Sequence, residues 1–306
     1  MRRSSRGFPN RRRRCVGLIC RIGIFRRCWR SVSVRTFFVR AEIILKKFCF
    51  KVCRGTPQAG GDEYTAFRTG KEGNDRMDYT EMLTDNRFSV IAALPRNDLA
   101  LAEAALEGGA QAVKVHCNVW HRASGNMFGT FAENRTFLRE LIALCGDVPV
   151  GLVPGGEDAY INEEERLELE EMGLSFFSSY AQYVPCHMME STRLSSMIAI
   201  GTDYTQNTLD AVRASAIDVL ECSIQPGENY GTSMNYADIL RYSDIAAKTA
   251  KPCVVPTQRR IRPEEVRHLA AAGCKAIMIG AVVMGGARPE DVKRATAAFR
   301  AAADAV

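Results

Sequence analysis

From Arg87 onward the chain repeats one unit, a short apolar run rich in β-branched residues followed by a stretch of helical periodicity. The apolar runs are Phe88–Leu94, Ala112–Asn118, Val148–Pro154, Leu174–Tyr180, Met197–Asp203, Val219–Gln225, Pro252–Thr257 and Ala276–Val282. Amphipathic segments separate them at Asp98–Glu107, Ala132–Leu144, Asn162–Met172, His187–Leu194, Gln206–Ala214, Asn235–Thr249 and Pro263–Ala272, with Pro289–Ala303 last. Strands that alternate with helices pair in parallel and are buried on both faces. Eight such units in about 220 residues match the size of a closed (β/α)8 barrel. Gly108-Gly109, Gly146, Gly173 and Gly273 stand where helices stop, and Pro263 and Pro289 where a first helical turn accepts proline. An open doubly wound sheet would carry a Gly-rich turn after its first strand, and here that turn is Leu94-Pro95-Arg96-Asn97. The expected fold class is therefore α/β, a TIM-type (β/α)8 barrel over residues 77–306.

Charge divides the chain at the same place. Residues 1–76 hold 20 Lys and Arg against 5 Asp and Glu, and the remainder holds 21 against 30, so a net charge of +6 averages +15 and −9. The basic total thus gives the barrel no reason to bind nucleic acid or a membrane surface. Six cysteines in the barrel (117, 145, 186, 222, 253 and 274) lack metal-like spacing and read as reduced, small apolar residues of a cytoplasmic protein. No stretch is long and apolar enough to span a bilayer.

The basic leader, 1–76, lacks sustained periodicity, and three readings compete for it. It could be a nucleic-acid or membrane tail, an Arg-rich transit peptide, or upstream sequence read through into protein. The third has a specific ground: Lys71-Glu72-Gly73 can be encoded by AAG-GAG-GGN, a purine run like a bacterial ribosome-binding site, just ahead of Met77. Residues 1–76 are accordingly expected to be disordered or non-native. Met77-Asp78-Tyr79-Thr80-Glu81-Met82-Leu83 is expected to start the protein with a short amphipathic helix.

Period-two alternation selects the candidate site. In the second strand Val113, Val115 and Cys117 face the helices, which sends Lys114 and His116 inward. In the sixth, Leu220, Cys222 and Ile224 face outward and Val219, Glu221 and Ser223 inward; the fifth run ends at Asp203 and the fourth at Ser178, Ser179 and Tyr180. A buried Lys and Glu must be paired, hydrogen-bonded or neutralised, so Lys114 and Glu221 read either as a structural ion pair or as an acid–base pair, with His116 a second base. The loop from His116 to Thr130 mixes His121, Arg122, Ser124 and Asn126 with Trp120 and Phe128, the composition of a lid or of a plain surface excursion.

Gly280 and Ala281 bring small residues to the end of the eighth strand, where main-chain N–H groups can approach an anion. Thr257, Gln258 and Arg259 after the seventh strand, Gly155 and Gly156 after the third, and Arg122 are the other candidate phosphate ligands.

The segments Pro263-Glu264-Glu265, Ala271-Ala272-Gly273 and Ile279-Gly280-Ala281 resemble the ribulose-phosphate-binding group of barrels, and within it the N-acetylmannosamine-6-phosphate 2-epimerases. The likeness follows element order over most of 87–306 and specific motifs in the last quarter. It implies a phosphosugar, with phosphate near Gly280 and Ala281. Those epimerases carry a catalytic Lys at the end of strand 3 and a Glu on strand 7, where this chain has Pro154-Gly155-Gly156 and Val255-Pro256-Thr257-Gln258.

Together these features point to an isomerase or epimerase that abstracts a proton next to a carbonyl on a phosphorylated sugar or sugar acid. A Schiff-base lyase using Lys114 and a non-catalytic phosphometabolite-binding barrel are the alternatives. No motif demands a cofactor or metal, although a divalent ion joining Asp203 or Glu221 to substrate suits the chemistry. The expected partner is a small phosphorylated metabolite, and homo-oligomers are left open. The intact mass of the protein isolated from its source is expected to be that of a chain starting at Met77; a product starting at Met1 would sink the read-through reading.

Overall fold

The computed structural model describes residues 78–285 and 288–306; the expectations for the leader lie outside the described residues. The first element is helix α1 (Tyr79–Asp85), capped by the Asp78 carboxylate, which accepts from the Thr80 N–H. Then follow β1 (Ser89–Ala93), α2 (Leu99–Glu107), β2 (Ala112–His116), β3 (Val119–His121), β4 (Asn126–Phe128), α3 (Phe131–Cys145) and β5 (Val150–Val153). The middle of the chain gives α4 (Glu163–Met172), β6 (Phe176–Tyr180), α5 (Cys186–Met189), β7 (Ser195–Ile200), α6 (Gln206–Ala214) and β8 (Val219–Cys222). The last part gives α7 (Tyr236–Thr249), β9 (Cys253–Pro256), α8 (Val266–Ala271), β10 (Ala276–Ile279), α9 (Ala281–Met284) and α10 (Pro289–Asp304).

Strands β1, β10, β9, β8, β7, β6, β5 and β2 close in that order into a parallel barrel, the (β/α)8 architecture expected. Local chemistry starts the helices where the periodicity placed them. Capping boxes pair Thr130 with Glu133 at α3, Asn162 with Glu165 at α4 and Asn235 with Asp238 at α7, each satisfying N–H groups that a helix start leaves open. Among the described residues no helix is long and apolar enough to cross a membrane.

Alternation splits the core in two. Val113, Val115, Leu220 and Cys222 belong to the layer between strands and helices. The barrel interior is a separate cluster of Ile91, Ala112, Phe176, Met197, Val219, Val254 and their neighbours, completed by Tyr79, Met82 and Leu83 of α1. The Tyr79 ring stacks on Phe176 at 3.8 Å and 11°, and its hydroxyl donates to Met197 Sδ at 3.1 Å. Gly151 on β5 makes room for this plug, since a Cβ there would lie 2.2 Å from the Phe176 ring. The amphipathic helix expected after Met77 is thus the stopper of the barrel floor.

Several boundaries differ from those read in the sequence. Strand β7 starts earlier and stops at Ile200, and Gly201 to Asp203 form an exposed turn. Strand β10 stops at Ile279, because Gly280 caps the short helix α9, so the run to Val282 is half helix. The segment His187–Leu194 shortens to α5, which ends where the Ser191 hydroxyl accepts from the N–H groups of Arg193 and Leu194. Strands β3 and β4 form a hairpin in what reads as a loop.

Tyr79→Ala deletes a fully buried ring and is expected to destabilise the fold by about 3–5 kcal/mol. Urea unfolding of the variant beside the parent measures this, and a loss under about 1 kcal/mol would mean that α1 does not hold the floor.

Candidate active site

Directly above the apolar floor lies one polar layer. Lys114 is the third residue of β2 and Glu221 the third of β8. The two strands lie four apart whichever way the barrel is followed, so the side chains meet across its diameter. Lys114 Nζ stands 3.2 Å from Glu221 Oε2, with the residues 4% and 6% exposed. The Ser178 hydroxyl, from β6, donates to Oε2 at 2.7 Å, and the Ser223 hydroxyl donates to Oε1 at 2.7 Å. A carboxylate this deep is costly unless each oxygen finds donors, and here both oxygens do. Burial pushes the Glu221 carboxyl up, but the Lys114 charge and the bonds from Ser178, Ser223 and Lys114 outweigh it and hold it below its ordinary value. Glu221 is ionised at neutral pH.

His116 sits one layer higher on the same inward face of β2. Its Nδ1 is buried and has no hydrogen-bond partner, an arrangement that demands a reason. The ring packs against His121 at 4.4 Å and Phe128 at 4.7 Å. Both of these come from the β3–β4 hairpin, which therefore lies over the barrel mouth. The Asn126 side chain donates to the Pro95 carbonyl at 2.8 Å, tying the hairpin to the loop after β1. Asn118, at its root, adopts a left-handed φ of 54°, donates its N–H to the Gly129 carbonyl and its side-chain amide to Pro154. Arg122 reaches across to Gly227, beyond β8. Burial, followed by the charges of His121 and Lys114, keeps His116 well below the usual histidine range. Burial and Lys114 bring His121 down to about 4, with Glu221 opposing. Both rings are neutral at neutral pH.

Lys114, His116 and Glu221 are thus brought together. Asp203 is not; its carboxylate is exposed on the turn after β7, because that strand ends three residues earlier than the sequence pattern suggests. Among the expected phosphate ligands, Thr257 and Gly280 are adjacent, the Gly280 N–H donating to the Thr257 hydroxyl at 3.0 Å, and Ala281 opens α9 beside them. All the others except Arg122 are engaged elsewhere. Gly155 bridges to Tyr160 and the Gly156 N–H donates to the Ala159 carbonyl, so these glycines serve a tight turn instead of an anion. A Cβ on Gly155 would meet the Ala159 oxygen at 2.2 Å. Arg259 is buried in an ion pair with Asp238 at 3.0 Å and bonded to Thr232. Gln258 accepts from the Gln225 N–H at 3.1 Å and donates to the Tyr230 hydroxyl at 2.6 Å. Arg122 is exposed at the mouth.

The two serines on Glu221 and the stacking partners of His116 are the contacts of the candidate site that alternation alone misses. It places Ser178 and Ser223 near strand ends but cannot say which carboxylate they reach. Among the described residues no group of three or more His, Cys, Asp or Glu side chains is placed to hold a metal ion. Two surface clefts of about 320 and 310 Å³ lie on the outside of the barrel, one lined by Arg139, Ile142, Glu168 and Met172, the other by Arg260, Pro263, Val283 and Phe299. Neither is lined by Lys114, His116 or Glu221.

No family model matches the chain, and no curated protein matches it. Solved structures do. A thiamine phosphate pyrophosphorylase from Pyrococcus furiosus is 16% identical, with 72% of this chain and 98% of that one covered and a TM-score of 0.51. A phosphoribosyl anthranilate isomerase from Thermus thermophilus is 16% identical over 69% and 98%, with a TM-score of 0.50. The tryptophan synthase A-subunit from Pyrococcus furiosus is 11% identical over 71% and 98%, with a TM-score of 0.51. At such identities the likeness establishes the barrel, and function must be argued from the site.

The neutral imidazoles give the fold a pH dependence. Histidine in an unfolded chain takes up a proton near pH 6.5, whereas His116 and His121 resist it in the folded chain. The unfolded state therefore binds protons first as the pH falls. The stability they contribute is complete above about pH 6.5 and is lost progressively towards about pH 4, the value for His121. The midpoint of urea unfolding should fall across that window, and His121→Phe should flatten part of the slope. A flat profile in the parent protein would show that these rings are not held neutral.

Proposed function

We propose that the barrel is an isomerase or epimerase of a small phosphorylated sugar or sugar acid, working by proton transfer next to a carbonyl. The observation that carries this reading is the Lys114–Glu221 pair across the barrel, with the unpartnered Nδ1 of His116 directly above it. Glu221 spends its oxygens on three donors and is the anchor of the site. Lys114 has further N–H groups to offer, and an ammonium held in a dry interior polarises a carbonyl oxygen strongly. His116, with its hydrogen on Nε2, presents Nδ1 as a base that burial keeps unprotonated at neutral pH. In the forward step Nδ1 takes a proton from the carbon beside the carbonyl, and the electron pair moves to the carbonyl oxygen, which Lys114 protonates or hydrogen-bonds. Return of the proton to the former carbonyl carbon, while Lys114 takes back a proton from the hydroxyl on the carbon first deprotonated, isomerises the substrate, and protonation of that same carbon from its opposite face epimerises it.

The phosphate part of the reading is supported by the main-chain amide of Ala281, which opens α9 beside Thr257, the Gly280 N–H itself being taken up by the Thr257 hydroxyl. It is also supported by two structural neighbours whose names contain a phosphorylated compound. A Schiff-base lyase is disfavoured by the ionised carboxylate 3.2 Å from Nζ, an arrangement suited to a charged ammonium and not to the neutral amine that an imine requires.

The test is solvent exchange. Incubated in D2O with a panel of phosphorylated aldoses, ketoses and their acids, the protein should introduce deuterium next to the carbonyl of one class. His116→Gln and Lys114→Met should each slow this by about a hundredfold or more. Borohydride should trap no adduct. An adduct on Lys114 would replace the isomerase by a lyase, and exchange left intact in both variants would remove these residues from the chemistry.

A further inference from the structure

The loop after β8 and the tip of the β3–β4 hairpin meet at one glycine. Arg122 follows the last residue of β3, in a turn closed by the Gly125 N–H donating to the His121 carbonyl at 2.9 Å. Its guanidinium rests on Gly227: a Cβ there would lie 2.3 Å from Nη1 and 3.2 Å from Cζ. Any side chain at 227 would displace the arginine. Gly227 opens a short 3-10 turn, Gly227–Asn229, and Tyr230 follows it. The Tyr230 hydroxyl accepts from Gln258 Nε2 at 2.6 Å, which leaves its own hydrogen to donate. Tyr230 donates its main-chain N–H to the Gly227 carbonyl at 3.2 Å, within the turn on which Arg122 rests, and the Arg122 charge is among the influences on its hydroxyl. Among the described residues no carboxylate stands within ion-pair distance of Arg122, Glu228 beside it included.

A planar fork of N–H donors that no described carboxylate pairs with, and a phenol hydrogen, therefore share one side of the mouth. A carboxylate matches the fork of a guanidinium with two parallel hydrogen bonds. The Gly280–Ala281 end lies two strands away, at β10, with β9 between. Lys114 and Glu221 span the barrel beneath.

We propose that Arg122, seated on Gly227, and Tyr230 form a second anion subsite that takes a carboxylate, so that the substrate is a phosphorylated acid and not a neutral phosphosugar. This rests on the phosphate reading above and narrows it. Two anionic ends held about a quarter-turn of the mouth apart fix which carbon stands over His116, the positioning that a proton transfer needs.

Matched probes separate the two ideas. 3-Phosphoglycerate and glycerol 3-phosphate share a phosphate and a short carbon chain, and only the first carries a carboxylate. By calorimetry on the full chain at fixed ionic strength, the parent should bind 3-phosphoglycerate about tenfold more tightly. Arg122→Gln and Gly227→Ala should each erase that preference while leaving glycerol 3-phosphate affinity within about twofold. The exposed Arg122→Gln variant should keep its melting temperature, so a folding defect at 227 would not obscure the result. Equal affinity of the parent for both probes, or a preference that survives Arg122→Gln, overturns the carboxylate subsite alone. Failure to bind either probe removes the phosphate reading with it.

Discussion

The ion pair that joins opposite walls of the barrel is the constraint on which everything else in the site depends. Lys114 and Glu221 come from strands that are nowhere neighbours, and a charge left alone at that depth would cost several kcal/mol. The surroundings answer that cost in detail: hydroxyls from β6 and from the loop after β8 complete the coordination of the carboxylate, and the apolar cluster beneath excludes water. A pair of this kind is weak evidence for stability, because well-packed hydrophobic residues would serve the fold as well. Its presence in the middle of an otherwise apolar barrel is what makes the interior worth reading as chemistry.

The same pair orders the space above it. Burial above all, with the Lys114 charge beneath adding to it, keeps His116 and His121 neutral, so the two rings can stack. The hairpin contributes His121 and Phe128 to that stack, is hydrogen-bonded at Asn118 and Asn126 to two other βα loops, and lays Arg122 against Gly227 of a third. Loops at the carboxyl ends of barrel strands carry function because the strands below are rigid. Here the longest of them folds into its own small sheet and becomes a roof.

Much of this was legible without coordinates, and the reasons are specific. The barrel followed from alternating strand and helix patterns, and the inward placement of Lys114, His116 and Glu221 followed because their neighbours Val113, Val115, Leu220 and Cys222 are apolar enough to declare the outer face. Asp203 misled because Gly201 ends its strand early and turns the chain into solvent. Arg259 and the glycines 155 and 156 misled for another reason. Residue type suggested ligands, whereas Asp238, Ala159 and Tyr160, distant or unremarkable in sequence, already occupy them. Which hydroxyls reach Glu221 depends on distances across the barrel, and no local pattern encodes those.

The aromatic stack at the base of the barrel has a consequence for traffic. With Tyr79 wedged flat against Phe176 and bound to Met197, the lower end offers water and ions no passage. On the proposed function, reactants, products and exchanging protons then share the other end of the barrel, beneath the hairpin. Among the described residues, a shaft stopped at its base becomes a chamber entered from the hairpin side.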